Sequence, residues 1–183
     1  YSMMMTRTMT FTTENFPDNR MGLDMVDMLI ISNYRIRDLS EDQSRTLVEW
    51  VRNGGIMVLG TGMRVDDTLG RFAPELLEQS YDAPQVEQIS MGAEYDQEGP
   101  SDADLEIPCV GFLLSGGTVI QSDESRTLLA TVPYSQGIIA VAAYDLTDIE
   151  GFCIQNPSFM DHVLTQIIGE TRLSRLAEEV YSG

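Results

Sequence analysis

Residues 27–62, DMLIISNYRIRDLSEDQSRTLVEWVRNGGIMVLGTG, decide the fold. Asp27–Ser32, DMLIIS, is a short continuous apolar run closed by Asn33, the pattern of a parallel strand buried on both faces. Ser40-Glu41-Asp42-Gln43 forms a capping box: the serine hydroxyl accepts an early backbone N–H, and the acidic pair sits where the helix dipole favours negative charge. Leu47, Trp50 and Val51 recur on one helical face, and Asn53-Gly54-Gly55 ends the helix. Ile56–Leu59, IMVL, is a second buried strand, followed by Gly60-Thr61-Gly62. Two buried strands joined by an amphipathic helix make a βαβ crossover, so the strands run parallel.

Outside this unit the patterning is weaker. Met5–Phe11 alternates with period two and reads as a strand, followed by a turn at Pro17-Asp18-Asn19. Leu69–Leu77 holds a short helix that tolerates Pro74 in its first turn. One strand is expected at Val86–Met91, then a long exposed loop over residues 92–103. Val110–Leu114, Thr118–Gln121, Thr127–Val132 and Ile138–Tyr144 read as successive strands separated by turns. Pro157–Ile168 is a closing helix, with a helical tail over Thr171–Val180. The fold class is α/β: a flavodoxin-like, doubly wound, mainly parallel sheet with an antiparallel extension. A chain of 183 residues fits one domain, 1–183, and opening at Tyr1 suggests a piece of a longer protein.

Charge narrows the partners. A net charge of −18 repels phosphate backbones and anionic lipid, so nucleic acid and membrane surfaces are poor partners. No run of eighteen apolar residues is present, so no insertion into a membrane is expected. All eleven basic residues are arginine; the lack of lysine removes Schiff-base and P-loop chemistry together. Cys109 and Cys153 are either one disulfide or two small buried apolar residues. His162 is the only histidine, with no motif pairing it to a cysteine. One histidine and two separated cysteines cannot make a zinc site, and the acidic loop Glu94, Asp96, Glu98, Asp102 and Asp104 lacks EF-hand spacing. No metal or cofactor is expected.

Gly60-Thr61-Gly62 is the best candidate site. It leaves a central strand at the carboxyl edge of the sheet, where open α/β sheets bind ligands. Asn33, Tyr34 and Arg35 leave the neighbouring strand toward the same crevice, and Asp145 ends the late strand there.

The phrases LSEDQ, WVRNGG and IMVLGTG within residues 22–62, with the late run Gly137–Leu146, GIIAVAAYDL, resemble the class I glutamine amidotransferase-like family. More narrowly, they are similar to its non-enzymatic members in secreted or membrane-anchored bacterial proteins. The resemblance covers about half the chain. It implies an extracytoplasmic location and partners among other domains of the parent chain, another protein, or a small ligand. Enzymes of that family place a cysteine nucleophile on the turn after this strand, completed by histidine and glutamate. Here the turn is Leu59-Gly60-Thr61-Gly62-Met63, with Thr61 where a thiol is expected and no His-x-Glu after Tyr144. The resemblance therefore implies a non-catalytic ligand- or partner-binding domain. Two alternatives stay open: a hydrolase or transferase using Thr61 with Asp145 or Asp24 as base, and a purely structural oligomerisation module.

Overall fold

A computed structural model describes residues 28–91, 104–123 and 126–181, with side chains to residue 170. The expected strand at Met5–Phe11, the turn at Pro17, Asp24, Asp27 and most of the acidic loop lie outside the described residues.

Strand β1 (Met28–Ile31) leads through a 3-10 turn (Ile36–Asp38) to helix α1 (Glu41–Arg52) and strand β2 (Ile56–Gly60), and β1 and β2 pair in parallel. The capping box is formed in full: Gln43 N–H donates to Ser40 Oγ at 3.2 Å, and Ser40 N–H donates to Gln43 Oε1 at 2.8 Å. Such a cap contributes about 1 kcal/mol to helix stability.

Helix α2 (Ala73–Leu76) follows, with Pro74 in its first turn as expected. Strands β3 (Gln85–Ser90) and β4 (Asp104–Cys109) form a separate antiparallel pair. Strands β5 (Thr118–Ser122), β6 (Thr127–Tyr134) and β7 (Gly137–Ala142) complete a five-stranded sheet of order β1-β2-β7-β6-β5. β2 and β7 are parallel, while β6 is antiparallel to both β7 and β5. Only β6 therefore runs against the others. The fold is α/β, with a parallel β1-β2-β7 centre and an antiparallel extension.

Alternation through the central strands builds two core layers. Met57, Leu59, Ile139 and Val141 face α1, where Leu47, Trp50 and Val51 pack together with Phe72 and Leu76. Ile56, Val58, Ile138, Ala140 and Ala142 face the opposite layer. That layer is made by helix α3 (Glu150–Gln155), helix α4 (Ser158–Tyr181) and the inner face of β3–β4, with Ile89, Ile107, Phe152, Phe159 and Val163 buried. Burial on both faces is why the central strands carry unbroken apolar runs.

Four elements differ from expectation. β4 is a strand where none was expected, just after the loop: Leu105, Ile107 and Cys109 turn toward the core while Asp104 and Glu106 face outward. Val110–Leu114 is not a strand, because its backbone changes partners. Val110 N–H reaches Ala143, Gly111 C=O takes Asp82, and Leu113 C=O takes Glu78. The closing helix and its tail are one helix, α4, preceded by the unforeseen α3. Cys109 and Cys153 are free thiols in the same core layer. Burial pushes the Cys109 thiol up to about 11 and raises that of Cys153 as well.

Candidate functional site

β1, β2 and β7 end side by side, and the loops leaving them meet at the carboxyl edge of the sheet. Gly60, Gly62 and Asp145 come together there, joined by Ser32. A Cβ on Gly60 would stand 2.9 Å from Ser32 Cβ and 3.3 Å from Leu146 N. Gly62 adopts φ +64°, and a Cβ there would lie 3.0 Å from Asp145 N and 3.3 Å from Pro108 O. Both glycines are thus required by the close approach of the protein's own loops.

The polar groups of this junction are used internally. Ser32 Oγ donates to Asp145 Oδ1 at 2.9 Å and accepts from Leu146 N–H at 2.9 Å. The same Oδ1 accepts from Thr147 N–H at 2.9 Å and from the Thr147 hydroxyl at 2.8 Å, capping the 3-10 turn Leu146–Ile149. Thr68 Oγ1 donates to Gly60 C=O at 2.8 Å. Thr61 is 0% exposed; its N–H donates to Tyr144 C=O at 2.9 Å and its hydroxyl to Ala142 C=O at 2.6 Å. Burial, and secondarily the Asp145 charge, raises the pKa of Asp148 on the adjoining turn.

Asn33, Tyr34 and Arg35 lie on the loop after β1 but outside this knot of hydrogen bonds. Asn33 takes φ +52° and is exposed. Tyr34 is half-buried against the α1-side core, and among the described residues its buried hydroxyl has no hydrogen-bond partner. Arg35 is exposed and makes no ion pair among the described residues.

Sequence reasoning missed a second feature of this edge. Asp67, in the loop after β2, is buried and ties that loop to the one after β1: its C=O accepts Ile36 N–H at 2.9 Å. Arg37 Nε lies 3.0 Å from Asp67 Oδ1, and Arg64 NH1 donates to Oδ2 at 3.4 Å. The first contact lies off the hydrogen-bond axis and is an ion pair only. Beyond Asp67 runs an open cleft of about 520 Å³ lined by Gly70, Ala73, Pro74, Leu77, Gln79, Ser80 and Tyr81. The Tyr81 hydroxyl donates to Asp66, so the cleft wall is bonded to the residue beside Asp67. That contact and burial push the Tyr81 phenol up to about 12, burial being the larger cause. Arginines spaced along two loops carry no local motif, so only the topology reveals their convergence.

His162 lies on the exposed side of α4. Among the described residues no three His, Cys, Asp or Glu side chains gather as a metal site. No described helix is long and apolar enough to cross a membrane.

A scan against protein-family models finds no match, and a comparison with curated proteins finds none either. Solved structures do match. A cytoplasmic protein from Salmonella typhimurium, STM3548, superposes with TM-score 0.62 at 16% identity, over 85% of this chain and 76% of that one. A second from strain LT2, STM1381, gives TM-score 0.56 at 14% identity, over 84% of this chain and 76% of the other. These neighbours overturn the expected extracytoplasmic location: that expectation stood on family resemblance alone, and the proteins sharing the fold are described as cytoplasmic. At such identities the likeness shows the fold and nothing more about activity.

Proposed function

We propose that this chain is a non-catalytic binding domain of the class I glutamine amidotransferase-like kind, taking a small ligand or a protein partner at the carboxyl edge of its sheet. One observation carries the reading. Where the enzymes it resembles present a thiol, this chain has Thr61, fully buried, with its hydroxyl donated to the Ala142 carbonyl at 2.6 Å. A hydroxyl so placed cannot reach a substrate, and the nearby Asp145 Oδ1 already accepts from Ser32 and Thr147. On the α1 side of the sheet, joined to this edge through the Tyr81–Asp66 hydrogen bond, lies an open concavity, the cleft from Gly70 to Tyr81, with apolar walls from Ala73, Pro74 and Leu77 and polar groups from Gln79, Ser80 and Tyr81. Apolar walls with a few polar groups are the common make-up of a small-molecule site.

Ammonia release from L-glutamine and hydrolysis of p-nitrophenyl acetate test the non-catalytic half. Both are expected at the rate of buffer alone. A turnover that Thr61→Val abolishes while circular dichroism stays unchanged would overturn it.

A further inference from the structure

We infer that Arg37 and Arg64 form a clamp for the carboxylate or phosphate group of a small ligand, whose less polar body extends into the neighbouring cleft. This rests on, and deepens, the reading of the carboxyl edge as a binding edge. Asp67 is the support. Its two carboxylate oxygens face one guanidinium each, at 3.0 Å from Arg37 Nε and 3.4 Å from Arg64 NH1. Each arginine carries five N–H donors and, among the described residues, commits one nitrogen to Asp67, leaving most donors of both open. The side chains are 60% and 41% exposed, whereas that of Asp67 is 9% exposed. The anchor is therefore inside and the free donors outside.

Charge does not forbid it. Two guanidiniums share the Asp67 carboxylate. Arg35 on the same loop makes no ion pair among the described residues, and with Asp38 and Asp66 nearby the cluster is balanced rather than acidic. Elsewhere the pattern reverses: Arg45 pairs with Asp42, Arg52 with Glu75, and Arg126 with both Glu87 and Asp123. Residues 35–71 hold six of the eleven arginines and only six of the twenty-nine acidic residues, so this stretch is neutral and the −18 lies outside it. At physiological salt, fields decay over about 8 Å, so a single oxyanion at the clamp is shielded from distant carboxylates. A polyanion such as nucleic acid would still meet them.

Stability alone does not account for the second arginine. One partner suffices for Asp67, and a half-exposed ion pair adds about 0–1 kcal/mol. What two arginines on one buried carboxylate gain is fixed orientation, held further by the Asp67 N–H to Arg64 C=O bond at 2.9 Å. Forked guanidiniums held in place suit planar carboxylate and tetrahedral phosphate alike.

The test uses the ¹⁵N-labelled chain and follows arginine Nε–Hε signals during titration with sodium phosphate, and separately with sodium succinate. Sodium chloride at matched ionic strength is the control. Saturable shifts at Arg37 and Arg64 are expected with at least one of the two anions, and the responding arm identifies the head group. Arg45 and Arg126 should stay still. Arg37→Gln or Arg64→Gln should weaken binding by roughly tenfold or more, the loss typical of a charge-assisted contact. Uniform, unsaturating shifts of all arginines, or equal shifts in chloride, would overturn the clamp. Neutral fragments that occupy the Gly70–Tyr81 cleft while neither anion saturates would sink the clamp and spare the binding edge. No binding of either kind would sink both.

Discussion

The carboxyl edge of the sheet is closed over β2 and β7 and open over the loops outside them. At the closed part, Gly60, Thr61, Gly62 and Asp145 meet Ser32 and Thr147, and the polar groups bond one another. At the open part, Arg35, Arg37 and Arg64 are exposed, and Asp66, next to the Asp67 they surround, is bonded to Tyr81 on the wall of a cleft of about 520 Å³. Both parts sit where α/β proteins bind ligands. A glycine turn at that place is therefore no proof of a site: a glycine admits either a ligand or the protein's own loop. The way to tell them apart is to ask what a Cβ would strike. At Gly60 and Gly62 it strikes Ser32, Asp145 and Pro108.

This contrast predicts that substitutions in the closed part lower stability, whereas those in the open part lower binding. The largest effect is expected for Asp145→Ala, which leaves Ser32 and the Thr147 amide without their acceptor. A loss of about 3 kcal/mol, or roughly 9 °C in melting temperature for a chain of this size, should appear by calorimetry. Gly60→Ala should cost about 2 kcal/mol in urea denaturation, since Ser32 and the Leu146 amide must give way. Thr61→Val keeps the shape and removes one hydrogen bond, for about 1 kcal/mol. In the open part, Arg37→Gln and Arg64→Gln should each change stability by less than about 0.5 kcal/mol. Stability losses as large as that of Asp145→Ala would mean that Arg37 and Arg64 are structural too.

The smallest effect concerns pH. Asp148 titrates above the usual aspartate range, chiefly through burial and in part through the charge of Asp145. A raised carboxyl pKa means that the fold prefers the neutral acid. The stability it supplies is complete below the unfolded pKa of about 3.9 and is lost as pH rises through the higher folded value. Carboxyl-detected NMR titration of Asp145→Asn should show part of the rise gone and the burial part remaining.

How far the sequence reveals this molecule depends on how local each signal is. The β1-α1-β2 unit is legible because a cap, an apolar stripe and two buried runs each lie within a dozen residues. β4 is not: Leu105, Ile107 and Cys109 alternate as a strand should, but Pro108 and the flanking acidic residues mask the strand signal, and the proline is tolerated near the strand end opposite Val86. The apolar run Val110–Leu114 misleads in the other direction, since apolarity cannot tell a ladder from a segment whose backbone serves three partners. α3 had no capping sign: its N-cap is Ile149, with no side-chain cap, and Asp145 caps only the 3-10 turn that leads into it. At the site, Gly60, Gly62 and Asp145 are correctly brought together, but what fills the space between them is Ser32, a residue 28 positions from Gly60. The convergence of Arg37 and Arg64 on Asp67 depends on the order of strands and was not legible in either loop alone.

A crystal of the protein soaked with a mixture of small anionic and neutral fragments tests the division of this edge most directly. The account predicts fragment density against Arg37, Arg64 and the wall from Gly70 to Tyr81, with the Ser32–Asp145 contact intact. Density displacing Ser32 and touching the Thr61 hydroxyl would contradict it.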